Sequence, residues 1–322
     1  MTEVRSNATR IWLLHAAVIV LLLAGNFLLP EYHRGMFSRA LVLATYAMGY
    51  NLLFGYTGLL SLGHAMFFAA GMYGAGLPVY HLGWDVPLAF ATGIAAAGLL
   101  SLAVGVLALR TTGVAFMIVT MMFAQIFFLA TLYFTTWTRG EEGLVLQPAK
   151  RAIEFAGNTI SLSDPSTRYL VALTLFAIVL LVSLRLVKSS FGRTLVAIRE
   201  NEERVRMLGY NVFTTKLLAV VFSGLACGAA GAAYGLLFGY VGSGFASSQY
   251  SILALLYVLL GGAATTLGPL VGTLFMFYVI DYTSGLTSAY LLLVGVVLII
   301  LILFFPKGLL GTIREKWLPW LP

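Results

Sequence analysis

Charge is scarce in this sequence. Only 10% of its 322 residues are Asp, Glu, Lys or Arg, against 60% hydrophobic. That balance excludes an ordinary soluble domain and indicates an all-α polytopic membrane protein. Cys227 is the lone cysteine, so no intrachain disulfide can form. No CxxC, HExxH or clustered His/Cys set occurs, which leaves no motif for a bound metal. No lysine follows a glycine, so no GxxxxGK[ST] loop is present to cradle ATP phosphates. Acids are missing from residues 40–84 and 217–280. An ion-coupled secondary carrier would need carboxylates inside the spans, and a membrane-embedded enzyme would need paired acids or a Ser/His/Asp set there. The net charge of +7 does not point to nucleic acid, because most basic residues sit in short segments between apolar runs, where they set topology.

The gaps between charges count the spans, each needing about 20 apolar residues. Ile11–Leu29 is read as a retained first span, since the run is too long for a typical signal-peptide core. Residues 40–84 hold two more, with the break expected at Gly55-Tyr56-Thr57-Gly58. Val86–Leu109, Gly113–Thr135 and Tyr169–Val187 follow, and the last span is expected near Ser288–Phe305. Basic residues crowd the N-terminus, Arg110, the 188–216 segment and the tail with Lys307, Arg314 and Lys316, so all four are expected on the cytoplasmic side. Residues 217–280 must then cross three times, with at least one crossing short or broken near Gly261-Gly262 or Gly268-Pro269. The parity predicts ten crossings, with eight or nine as the fallback. The 136–167 loop is expected outside, with Asp281 near the outer end of its helix.

Two features point into the protein and one points out of it. Gly224, Gly228, Gly231, Gly235 and Gly239 recur at short intervals, which lets helix backbones approach closely; packing without solute contact is the simpler reading. Gly55–His64 reads GYTGLLSLGH, poor material for an uninterrupted lipid-facing helix. Irregular backbone at membrane depth is tolerated where protein or a water-filled cavity covers it, as in the broken helices of transporters. The outward feature is the charged stretch Gly192–Gly209. Leu195, Ile198, Val205 and Leu208 recur at helical spacing, and Arg199/Glu203, Glu200/Arg204 and Glu202/Arg206 are placed four apart, each pair worth roughly 0.2–0.5 kcal/mol. The pattern predicts one short helix at the membrane surface closed by Gly209. It is either a docking element or a connector that pairs with itself.

Four stretches resemble the permease subunits of branched-chain amino-acid ABC transporters of the Liv type, in particular the M-like of the two permeases. They are Asn51–Gly58 with Leu60–Ala65, Gly113–Thr120 through Phe123-Ala124-Gln125, Gly192–Glu202 with Gly209, and Phe305-Pro306-Lys307-Gly308-Leu309. The resemblance implies an inner-membrane importer subunit, multi-pass in a bacterial membrane and not itself an enzyme. It also implies partners: a sister permease forming a heterodimer, two cytoplasmic ATP-binding subunits and a periplasmic substrate-binding protein. ATP would be bound by the partners, and this chain would hold no cofactor. Residues 188–213 would be the cytoplasmic coupling loop of a single permease domain over 1–322, with Arg193, Arg199, Glu200, Asn201, Glu202 and Gly209 as its coupling residues. Thr138–Leu144 is similar to the family's Thr-Gly-Gly-x-x-Gly-Leu turn in the periplasmic loop 136–167, but Arg139 stands where the family has glycine, and Glu141 and Glu142 add charge.

Asn51, Thr57, Ser61, His64, Thr120 and Gln125 are the candidate pathway residues, because polar side chains within spans are costly in lipid and often functional. Helix-to-helix hydrogen bonding explains each of them singly as well. His64 is a gate, a solute ligand or a core histidine bonded to a carbonyl. The family expectation for the solute is leucine, isoleucine or valine; similar permeases carry urea, short amides and other organic acids.

Overall fold

A computed structural model describes residues 2–155, 158–287 and 289–317. Apolar runs bounded by prolines, glycines and capping side chains form its helices. α1 (Thr2–Leu28) and α2 (Glu31–Asn51) part at Pro30, and α2 continues through a π turn at Leu52–Tyr56. α3 (His64–Leu77) ends in a second π turn, Pro78–Leu82. α4 (Val86–Ala108), α5 (Val114–Tyr133) and the one-turn α6 (Thr135–Thr138) follow. α7 (Pro165–Lys188) has proline in its first turn and Asp164 as N-cap, whose carboxylate accepts the Thr167 amide at 2.8 Å. Both devices answer amides that the first helical turn leaves unpaired. That bond and those from neighbouring groups hold the Asp164 carboxyl below its usual pKa. Ser189, Asn201 and Asn211 likewise cap α8 (Ser190–Glu200), α9 (Glu202–Met207) and α10 (Val212–Phe238). α11 (Ser248–Gly261), α12 (Gly268–Leu286), α13 (Tyr290–Phe304) and α14 (Leu309–Lys316) follow among the described residues.

Among the described residues, ten helices reach 14 residues or more, and five of them, α1, α4, α5, α7 and α10, are long and apolar enough to cross a membrane, as an all-α polytopic membrane protein requires. The expected short crossing in 217–280 is α11: its 14 residues span about 21 Å, against a hydrocarbon core of about 30 Å. α3 is as short, because the chain enters it from irregular backbone at Gly58–Gly63. The last long helix begins at Tyr290; its expected start, Ser288, lies outside the described residues.

The connectors gather at two ends. One end holds the turn after α2, the α7–α10 connection, the α11–α12 turn and α14. It is tied together by Arg199 on Gly55, Arg314 on Ala264, His15 on Thr266 and Lys188 over the Trp12 ring. All four basic segments named above lie at this basic end. The opposite end holds 134–164, where a short helix and two small sheets replace the expected plain loop. β1 (Leu144–Val145) pairs antiparallel with β4 (Tyr240–Val241), and β2 (Ala152–Phe155) with β3 (Asn158–Ser161). Arg151 donates to the Leu236 and Leu237 carbonyls, bracing this layer against the end of α10.

α10 is the pillar of the bundle, with 61% of its most apolar window buried against 22–28% for α1, α4, α5 and α7. Its glycines explain that position. A methyl group at Gly231 would collide with the Phe68 carbonyl, and one at Gly228 with Ala97, so α3 and α4 pack directly on the α10 backbone. Close backbone approach is how membrane helices associate when lipid is as apolar as leucine.

Candidate functional site

The motif GYTGLLSLGH folds into a break between α2 and α3 at the basic end of the bundle. Gly58 takes φ +77°, a left-handed conformation that suits glycine. Its missing side chain also makes room for the Arg199 stem, 2.8 Å from where a methyl carbon would stand. Ser61 and His64 are 1% and 0% exposed. His64 Nδ1 lies 3.0 Å from Ser61 Oγ, and Nε2 lies 2.8 Å from Ser223 Oγ. Ser223 donates its single hydroxyl proton to the Gly49 carbonyl at 2.6 Å. Nε2 must therefore carry the imidazole proton, which leaves Nδ1 to accept from Ser61. A neutral histidine with both nitrogens bonded in this way has no lone pair for a solute. The expected carbonyl contact is reached one step away, through Ser223. Tyr50 closes the group by donating to the Ser61 carbonyl at 2.9 Å.

Asn51 has a different task. Its Nδ2 donates to the Thr265 carbonyl at 2.9 Å, and its Oδ1 accepts the Ala264 amide at 3.0 Å. These bonds hold the turn after α11, where Ala264 has φ +57°. Thr57 and Thr120 return their hydroxyls to carbonyls of their own helices, Leu52 and Met117. Gln125 is exposed on α5, away from the other five. The six candidate pathway residues thus do not line one cavity. Five are buried and pack the break; their polar atoms are bonded to protein. Ser223 and Tyr50 complete the network, and nothing local in the sequence marks Ser223, which is 159 residues from its partner.

The charged stretch differs from the single helix expected of it. Asn201, at φ −160° and ψ 100°, separates α8 from α9 and caps α9 by accepting the Arg204 amide at 2.9 Å. The capping preference of asparagine outweighs ion pairs worth a few tenths of a kcal/mol. Of the three expected pairs, only Glu202–Arg206 forms, at 3.1 Å. Glu202 also binds Lys216 at 2.5 Å, so it fastens α9 to the start of α10. Leu195, Ile198 and Val205 are buried as expected, whereas Leu208 is 70% exposed beside exposed Met207 and Tyr210. Gly209 closes α9 with φ +86°. Arg193 and Glu200 face solvent. Arg199 turns toward the bundle, where its Nη1 donates to the Gly55 carbonyl at 2.5 Å.

The Phe305–Leu309 motif serves the same end. Gly308, at φ +75°, seats against Gly262 and the Leu259 carbonyl, and Arg314 Nη1 donates to the Ala264 carbonyl at 3.0 Å. Between these groups lies a cleft of about 650 Å³ lined by Phe54, Arg199, Thr265, Lys307 and Arg314. At the opposite end, Arg139 adopts φ +60°, a left-handed conformation that favours glycine. Its guanidinium lies 5.5 Å from the Tyr80 ring centroid.

A family model described as "Branched-chain amino acid transport system / permease component" matches residues 34–305. The high-affinity branched-chain amino acid transport system permease protein LivM of Salmonella typhimurium is 28% identical, over 93% of this chain and 75% of that protein. The protein of the same name from Escherichia coli shows the same identity and coverage. No solved structure matches the chain.

Proposed function

We propose that this chain, which belongs to the branched-chain amino acid transport permease family, is the membrane subunit of an ATP-driven importer whose motor resides on other polypeptides. The basic end is the cytoplasmic one, because short loops rich in Lys and Arg stay inside; the membrane is the bacterial inner membrane. A sister permease completes the pathway, two ATPases dock on the α8–α9 segment, and a periplasmic binding protein delivers the solute. Leucine, isoleucine and valine are the solutes, as the likeness to branched-chain amino acid permeases LivM suggests.

One observation carries the coupling part of this reading: the hydrogen bond from Arg199 to the Gly55 carbonyl, with Gly58 packed on the Arg199 stem. A shift of α8 would therefore pull on the break between α2 and α3. The exposed Met207, Leu208 and Tyr210 give the ATPase an apolar grip beside Glu200 and Arg193. Docked ATPases that close on ATP would move α8 and α9, and Arg199 would pass that movement to the break. The fully bonded His64 group would keep the segment beyond it rigid, so that it moves as one piece.

The test is reconstitution. With sister permease, ATPases and binding protein in vesicles, leucine uptake should require ATP. The purified chain alone should neither bind nor hydrolyse ATP. Nucleotide turnover by the isolated chain, or uphill uptake without partners, would overturn the proposal.

A further inference from the structure

Arg39 sits two turns into α2, at an exposed position on the side of the helix that carries Glu31. A cavity of about 430 Å³ opens beside it between α2, α7 and α12 at the outer end, lined also by Arg168, Asp281, Phe277 and Ile280. That volume lies within the roughly 300–1,000 Å³ of small-molecule sites. The guanidinium carbons of Arg39 and Arg168 stand 5.3 and 5.4 Å from the centroid of the same Phe238 ring. Among the described residues, neither arginine pairs with an acid, and neither Glu31 nor Asp281 pairs with a base. Arg168 donates only to the Ser163 carbonyl, and its Nε is buried without a partner. Asp281 accepts one bond, from the Tyr32 hydroxyl at 2.5 Å, which leaves its other oxygen free.

We infer that this cavity is an outer recognition site for a zwitterionic α-amino acid with an apolar side chain. Two cations and two anions facing one space without joining each other leave room for a ligand that carries both signs. The carboxylate would go to the Arg39 and Arg168 guanidiniums, whose planar donors suit it. The ammonium would go to Asp281 and Glu31, and the side chain would lie on Phe277 and Ile280. The inference rests on the importer reading and adds the contacts that would choose the solute. A zwitterionic lipid headgroup shares this charge pattern, so the test must separate the two.

Ser284 also lines the cavity and Cys227 is fully buried, so Ser284→Cys gives this chain one accessible thiol. The variant is assembled with its partner subunits in phosphatidylglycerol vesicles and labelled with an impermeant maleimide. Leucine at ten times its dissociation constant should slow labelling about tenfold. Leucinamide and N-acetylleucine, each lacking one charge, should not protect. Arg39→Gln and Asp281→Asn should each abolish protection by leucine. Equal protection by all three compounds, or by none, overturns the site. Blockage that appears only when phosphatidylethanolamine is added assigns the cavity to lipid and also overturns it. Leucine uptake without leucine protection removes this site alone. No leucine uptake by the complete assembly removes the importer reading and the site with it.

Discussion

Two stretches of irregular backbone interrupt the bundle at the basic end, Gly58–Gly63 and Gly262–Leu267, and each is held by an arginine from a surface helix. Arg199 of α8 donates to Gly55, and Arg314 of α14 donates to Ala264. Asn51 joins the two breaks, since it ends α2 and bonds both Ala264 and Thr265. The difference lies in what each arginine belongs to. Arg199 is on the charged segment beside exposed Met207, Leu208 and Tyr210, a surface free to receive a partner. Arg314 is on a terminal helix whose Gly308 is already seated against Gly262. The first clasp is therefore suited to carrying movement and the second to resisting it.

Substitution sharpens this contrast. The largest effect on stability is expected from Asn51→Leu, which orphans the part-buried Ala264 amide and the buried Thr265 carbonyl at the second break. At about 1–3 kcal/mol for each unsatisfied group, thermal unfolding in detergent should show a loss of about 2–6 kcal/mol. An unchanged midpoint would mean that the breaks are not joined through Asn51. Arg314→Ala should cost about 1 kcal/mol and lower uptake and ATP hydrolysis together, because it loosens the anchor. A changed ratio between them would erase the distinction between the two clasps. The smallest effect is expected from Arg139→Gly at the far end. Relief of a left-handed non-glycine residue, about 1–2 kcal/mol, slightly exceeds the loss of a cation–π contact of about 0.5–1 kcal/mol. The unfolding midpoint should rise slightly or stay level, and a clear fall would show that the Tyr80 contact dominates.

Much of this was legible in the residues. Charge-free gaps placed α4, α5 and α7 to within a few residues, and the parity of basic segments required three helices across 217–280, so the short α11 was expected. The glycines of Gly55–Gly63 marked the first break. What remained hidden depended on partners far away in the chain. Ser223 is one serine in an apolar helix until folding brings it to His64. The inward turn of Arg199 and the outward turn of Leu208 follow from the kink at Asn201. That kink had a local signal, since asparagine before Glu-Glu is a good N-cap, but the spacing of charges favoured one continuous helix. Arg39 is the last charge before the uncharged run 40–84, so a count of charge-free gaps does not show that the helix carrying it begins at Glu31.

The ratio of leucine imported to ATP hydrolysed by the complete assembly, with Arg199→Ala in place of the native residue, tests most directly whether the break is worked through α8. The clasp predicts that hydrolysis persists while uptake falls at least about tenfold, a loss of about 1.4 kcal/mol of coupling or more. An unchanged ratio would contradict it and return the α8–α9 segment to the status of a connector.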